Sequence, residues 1–253
     1  SARGFIHNLC GKLENNNKIP PEYYDLYSVK RGLRNADGTG VVAGITKVCN
    51  VHGYLISEGE RIPHDGELTY RGYNVESLVR GYQAENRFGY EETAFLLLFG
   101  FLPTRAELDA FCGMLESLSE LPDGFVEDIV MKAPNRDLMN KLAGGVLALA
   151  SYSESPDSQN IDQVMAQSME LIARMPAIAT AAYQVKKRVF DKKSLYFHMP
   201  KRGMHIAENI LRMLRSDKQF TDAEAKLLDL CLILHMEHGG GNNSTFVARM
   251  LTS

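Results

Sequence analysis

The chain has 253 residues, 45% of them hydrophobic and 23% charged, the balance of a soluble globular protein long enough to bury a sizeable core. Its net charge of −3 gives no global field to draw nucleic acid or anionic lipid, so neither is expected as a partner. The longest strongly apolar run, Thr93 to Pro103, falls far short of the roughly 20 residues that cross a bilayer.

The four cysteines, Cys10, Cys49, Cys112 and Cys231, lie far apart and form no CxxC pair. That usage fits a reducing compartment and hence a cytoplasmic protein. Cys112 and Cys231 sit among apolar neighbours and read as small core residues.

In chain order, residues 1–20 are polar and read as a loosely packed start. Pro20-Pro21 introduces a helix from Glu22 to about Arg34, with Glu22 and Asp25 near its positive end. The turn-forming run from Asn35 to Gly40 ends it. From about 41 to 62 the pattern changes. Val48, Val51, Tyr54, Leu55 and Ile56 are broken into short runs by Gly53 and Gly59, which predicts a short β-hairpin region, the only β structure expected.

After about Asn74 everything reads as helix. Asn74 to Arg80 begins one, and Tyr90 to Phe99 is apolar nearly all round and therefore predicted to be buried. Thr104 with Glu107 forms a capping box that opens the next. Asp137 to Ser151, Asn160 to Met175, Ala177 to Phe190, His205 to Arg215 and Thr221 to His238 continue the series, punctuated by Pro134, Pro156, Pro176 and Pro200. In the last of these, Thr221 and Glu224 make a second capping box, and Leu227, Leu228, Cys231 and Leu234 recur at helical spacing. The fold class is thus all-α with one short β-hairpin region. Strands do not alternate with helices, which argues against a dinucleotide-binding fold.

The chemistry-bearing stretch runs from Leu234 to Thr245. It sets two imidazoles, His235 and His238, three residues apart at the end of a helix, where both would project from one face. Gly239-Gly240-Gly241 lets backbone pass close to a ligand. Asn242, Asn243 and Ser244 then open a further helix, whose free N–H groups favour negative charge. Three readings stand side by side. One is a small-anion site, since imidazole donates to carboxylate or carbonyl oxygen. Another is a metal site with Glu237 between the histidines, although the four-residue zincin spacing is not met and no third ligand follows nearby. The last has both histidines as satisfied core residues, with the glycines ending the helix. His52, His64, His198 and His205 are isolated and read as surface or capping residues. No nucleophile elbow or phosphate loop occurs in the chain.

The order His-x-Glu-His, glycines, Asn and Ser/Thr resembles the first histidine motif of the citrate synthase family. Upstream, Leu68-Thr69-Tyr70-Arg71-Gly72-Tyr73 is similar to that family's "L-x-Y-R-G-Y" segment. Phe95 to Gly100 leading into Leu102-Pro103-Thr104, then Asp137-Leu138-Met139, Arg174 to Ala179 and Ala207 to Leu211, follow in family order from about Asp37 to Ser253. The resemblance implies that residues 37–253 form the helical large domain, incomplete, after an N-terminal segment 1–36 with one helix, and that the small CoA-binding domain is absent.

It further implies a homodimer that condenses acetyl-CoA with oxaloacetate to citrate and CoA. Acetyl-CoA is then a substrate, and no cofactor is tightly bound. A 2-methylcitrate synthase, using propionyl-CoA on the same scaffold, and a non-catalytic dimerising helical scaffold are the alternatives. By the resemblance His238 is the oxaloacetate-binding histidine, with His235 and Asn242 lining or supporting the pocket. The family's catalytic His, His and Asp belong to motifs that resemble "G-P-x-H-G-G-A-N", "G-x-G-H" and a later Asp. None of these occurs here, so the chain is expected to be truncated, with no catalytic residue, no metal and no activity of its own.

Overall fold

A computed structural model of the chain describes residues 20–27, 46–237, 239 and 243–252. The chain divides into two compact units, Thr46–Thr245 and a second made of Ser1–Ile45 with Phe246–Ser253. In the second, helix α1 spans Glu22–Leu26, opens after Pro21 and carries Glu22 and Asp25 in its first turn. It closes at Tyr27, and residues 28–34 of the predicted helix lie outside the described residues.

The Thr46–Thr245 unit starts with an antiparallel sheet, β1 (Cys49–Ser57), β2 (Glu60–Tyr70) and β3 (Tyr73–Asn74), in that order. Two-residue turns join the strands. Glu58-Gly59 has φ values of 52° and 84°, and Arg71-Gly72 has 50° and 89°; paired positive φ matches the right-handed twist of the flanking strands. The β region therefore reaches beyond the predicted 41–62, because β2 continues to Tyr70. Residues 41–45 lie outside the described residues. The register puts Cys49 opposite Tyr70, Val51 opposite Leu68 and Leu55 opposite Ile62. Only the first of these pairs is buried; the arm beyond it is exposed.

The helices that follow are α2 (Val75–Ala84), α3 (Tyr90–Phe99), α4 (Arg105–Leu118), α5 (Leu138–Ala150), α6 (Ile161–Phe190), α7 (Ile206–Leu214) and α8 (Asp222–Leu234), with a single π turn at Val126–Val130. A final helix α9 spans Asn243–Thr252. The predicted starts are real caps. Asn74, Asp137 and Asn160 accept N–H groups of the first turn, and Thr104 with Glu107 and Thr221 with Glu224 close capping boxes. Helix α3 buries five of its residues, Glu91 and Thr93 to Leu96, as its all-round apolar character predicts. The all-α class with a small sheet is confirmed. Among the described residues no helix is long and apolar enough to cross a membrane.

Three sequence expectations are corrected. Asn160–Met175 and Ala177–Phe190 are one helix, α6, with Pro176 inside it. An internal proline costs about 3 kcal/mol, but buried residues flank it on both sides, Ala173 before and Ala177 to Val185 after. Packing of α6 against α4, α5, α7 and the π turn outweighs the lost hydrogen bond. Helix α8 stops at Leu234 rather than His238. Its buried stripe is Ala225, Asp229 and Ile233, whereas Leu227 is 62% and Leu234 46% exposed. Cys231 is accordingly exposed and Cys112 half-buried, while among the described residues the buried thiol is Cys49.

Helices α5 and α6 approach closely at Gly145, where an added Cβ would stand 2.9 Å from Ile178 Cγ2; one added at exposed Gly144 meets nothing within 4 Å. The two adjacent glycines therefore predict opposite signs. Gly145→Ala overpacks the interface and lowers unfolding free energy by about 1–3 kcal/mol, while Gly144→Ala raises it by roughly 0.5–1 kcal/mol. Urea unfolding of both variants checks this, and equal effects would count against the α5–α6 contact.

Candidate functional site

Helix α8 ends at Leu234, and His235 is its C-cap. The His235 side chain turns back along the helix, with Nδ1 2.7 Å from the Cys231 carbonyl oxygen. A carbonyl oxygen only accepts, so Nδ1 carries the proton, and this bond leaves Nε2 uncommitted on an exposed residue. Sequence spacing had put His235 and His238 on one helical face. The structure ends the helix at Leu234, so His235 caps it instead of projecting from a helical face. His235 is exposed rather than a core histidine. His238 and Asn242 lie outside the described residues, and α9 begins at Asn243, as the sequence suggested.

What fixes this end of α8 comes from the sheet. Tyr70 is fully buried, and its hydroxyl lies 2.9 Å from the Ile233 carbonyl oxygen and 3.0 Å from that of Glu237. It therefore spans the last turn of α8 and the residues that follow. Next to it, Arg71 donates from Nε and Nη2 to the Leu97 carbonyl oxygen in the last turn of α3, at 3.0 and 2.6 Å. The Gly239 N–H donates to Glu237 Oε1 at 2.8 Å. Burial, with Glu237 adding to it, pushes the Cys49 thiol up to about 11, so this cysteine packs rather than reacts.

A second polar cluster joins α3, α7 and α8. Glu91, 5% exposed, accepts the Ile206 N–H at 2.8 Å and stands 3.2 Å from His205 Nδ1. Asp229, 4% exposed, accepts the Gly89 and Tyr90 N–H groups at 2.8 and 3.2 Å. Phe88 stacks on the His205 ring with centroids 4.4 Å apart. The hydrogen bond from Glu91 holds the His205 pKa above its ordinary value, against the opposing effect of burial. Burial pushes Asp229 up to about 6. Sequence reading placed His205 correctly as a capping residue but missed its carboxylate partner and missed Asp229. Their partners lie 114 and 140 positions away, so no local pattern signals them. Among the described residues, no group of three or more His, Cys, Asp or Glu side chains could hold a metal ion.

Solved citrate synthases share this helical architecture. The enzyme from Pyrobaculum aerophilum aligns with a TM-score of 0.64 at 24% identity, over 84% of this chain and 51% of that one. The enzyme from Thermotoga maritima aligns with a TM-score of 0.62 at 22% identity, over 87% and 49%. The helical fold is thus one shared with solved citrate synthases.

The family model described as citrate synthase, C-terminal domain, matches residues 35–253, and the chain belongs to the citrate synthase family. It is 32% identical over 211 residues to citrate synthase of Haloferax volcanii, covering 80% of this chain and 52% of that protein. It is 31% identical over 226 residues to 2-methylcitrate synthase of Mycobacterium tuberculosis, covering 89% and 49%. The chain spans about half the length of the curated relatives it matches.

The carboxylate–histidine cluster makes stability depend on pH. Asp229 is raised from 3.8 to about 6, so the folded state holds a proton there that the unfolded chain has lost, and stability falls as pH rises through that window. His205 is raised above 6.5, so its contribution is full below that value and is lost as pH rises through the folded pKa. Both slopes have the same sign. Urea unfolding from pH 5 to 8 is expected to show declining stability. Asp229→Asn should remove roughly 1 kcal/mol of the decline between pH 5 and 7, and His205→Gln should flatten the upper part, whatever either does to absolute stability. Unchanged slopes in both variants would contradict the cluster's role.

Proposed function

We propose that the Thr46–Thr245 unit forms one wall of an oxaloacetate site, built around the turn that follows α8. The observation that carries this reading is the anchoring of His235. Nδ1 is committed to the helix and the peptide around it is tied down by Tyr70, which leaves Nε2 for a ligand. His238 and Asn242 complete the site in this reading, with His238 as the main contact to oxaloacetate, as the motif they share with the family implies. The protein of which this wall is part condenses acetyl-CoA with oxaloacetate and water to give citrate and CoA. Propionyl-CoA, giving 2-methylcitrate, is the second reading, supported by the near-equal identity to the two kinds of relative.

The motifs that carry the family's catalytic His, His and Asp are not among these residues. The 253 residues alone are therefore expected to bind oxaloacetate without turning it over, since each missing general acid or base is worth about 10²–10⁴-fold. A CoA-release assay with each acyl-CoA, alongside calorimetric titration of oxaloacetate into the native chain and His238→Ala, tests this. Turnover by the native chain would refute the assignment of its chemistry, and equal oxaloacetate affinity in the variant would refute the site.

The same reading includes a homodimer. On α5, Met139 is 73% and Leu147 76% exposed on a helix otherwise rich in small residues, and Ile161 at the start of α6 is 71% exposed. A second copy covering this face would remove that apolar surface from water. Sedimentation velocity should give a dimer that Leu147→Glu dissociates, and a monomer at every concentration would rule the dimer out.

A further inference from the structure

The turn that follows α8 carries a carboxylate beside the residues assigned to an anion. Glu237 lies between His235 and His238 in the chain, and its negative charge opposes a dicarboxylate ligand, so it is not suited to touch oxaloacetate. The bonds it makes suit it to something else. Glu237 Oε1 accepts the Gly239 N–H at 2.8 Å, and the Glu237 carbonyl oxygen accepts the Tyr70 hydroxyl at 3.0 Å. That carbonyl belongs to the peptide group on one side of position 238, and that N–H to the peptide group on the other. Each is therefore bonded to a side chain, one reaching in from the sheet and one from within the turn.

The surroundings agree with this placement. Burial first, then the charge of Glu237, raises the Cys49 thiol pKa, and the Gly239 N–H opposes them. The carboxylate and the amide it binds thus both stand against the inner end of β1. Gly239 has a φ of 89°, a left-handed step, although a Cβ there would have room, 3.8 Å from Val51 Cγ2. Glycine enters that conformation freely and leaves it as freely, so the bond to Glu237 is what fixes the step.

We propose that Glu237 is a positioning residue of the oxaloacetate site: it touches no substrate, and its carboxylate, together with Tyr70, holds the peptide groups on both sides of His238 in the arrangement that binds. This rests on the oxaloacetate reading above, in which His238 makes the main contact. A turn that must be ordered on binding weakens the complex by the cost of ordering it, and Glu237 removes that cost beforehand.

The test compares the native 253-residue chain with Glu237→Gln and Glu237→Ala, by calorimetric titration of oxaloacetate and by NMR of the histidine rings and the Gly239 amide. Both variants lose the charge, but glutamine keeps an acceptor oxygen. Glu237 is only half-buried, so neither variant opens a core cavity. Glu237→Gln should bind oxaloacetate within about threefold of the native chain, and Glu237→Ala about tenfold more weakly than Glu237→Gln, the worth of one hydrogen bond. In Glu237→Ala the His238 ring resonances should move while those of His205 and His198 stay, which a general loss of structure would not produce. The Gly239 amide resonance should follow a carboxylate titration in the native chain and not in Glu237→Gln. Equal oxaloacetate affinity of the two variants would overturn the positioning role and leave the oxaloacetate reading standing. If the native chain does not bind oxaloacetate, that reading falls and the spectra decide the role of Glu237. A moving His238 ring then keeps the positioning and discards only the ligand, while an unmoved ring, or a Gly239 amide indifferent to pH, overturns both.

Discussion

A helix ends with carbonyl groups that have no donor of their own, and here two consecutive side chains meet that need at the ends of two different helices. The Tyr70 hydroxyl reaches the Ile233 and Glu237 carbonyls of α8 and the residues after it, and the Arg71 guanidinium reaches the Leu97 carbonyl of α3. Both come from the tight turn between β2 and β3, where positive φ at Arg71 and Gly72 lets the chain reverse within two residues. The small sheet is largely exposed, and a bare hairpin is only marginally stable in water. Its inner end is what matters to the fold: it docks on two helices at once and sets the spacing between them.

The same two helices are joined at a second point. Asp229 of α8 accepts two of the free N–H groups at the start of α3, and Glu91 accepts the first N–H of α7. Buried carboxylates are costly unless hydrogen-bonded, and these are bonded to backbone donors that helix starts leave unsatisfied. Helix α3 is thus held at its beginning by the Asp229 carboxylate and at its end by the Arg71 guanidinium, each matching the sign of the helix terminus it meets. Helix α8 is pinned at Asp229 and again at Ile233, one turn apart. Its last turn, from which His235 emerges, has little freedom to rotate.

Much of this was legible in the sequence, and the rest fails for identifiable reasons. Helix starts were readable because caps are local: Asn74, Thr104, Asp137, Asn160 and Thr221 each bond within three residues. The continuity of α6 through Pro176 was not, because it rests on tertiary burial that outweighs a local penalty. The buried face of α8 was misread because leucine at 227 and 234 looks more like core than aspartate at 229. Asp229 is inside only because residues 89 and 90, far away in sequence, offer it two donors. The "Y-R-G-Y" segment was recognised as a family feature, yet nothing in its spacing says that it terminates helices. The histidine stretch was found, but periodicity could not show that His235 folds back on its own helix. His238 and Asn242 lie outside the described residues, so their geometry is not part of this comparison.

The anchoring of His235 constrains how the proposed site can hold an anion. With Nδ1–H donated to Cys231, a neutral ring presents a lone pair at Nε2, and a lone pair repels carboxylate oxygen. A carboxylate oxygen at Nε2 is therefore met by an N–H only on a doubly protonated ring. Were Nδ1 free, the neutral ring could present N–H to the ligand by changing tautomer and no proton would be needed. The hydrogen bond to Cys231 removes that option. The geometry of one helix end thus fixes which nitrogen of His235 can face an anion, and Tyr70, by tying Ile233 and Glu237 together on either side of that ring, keeps that geometry in place.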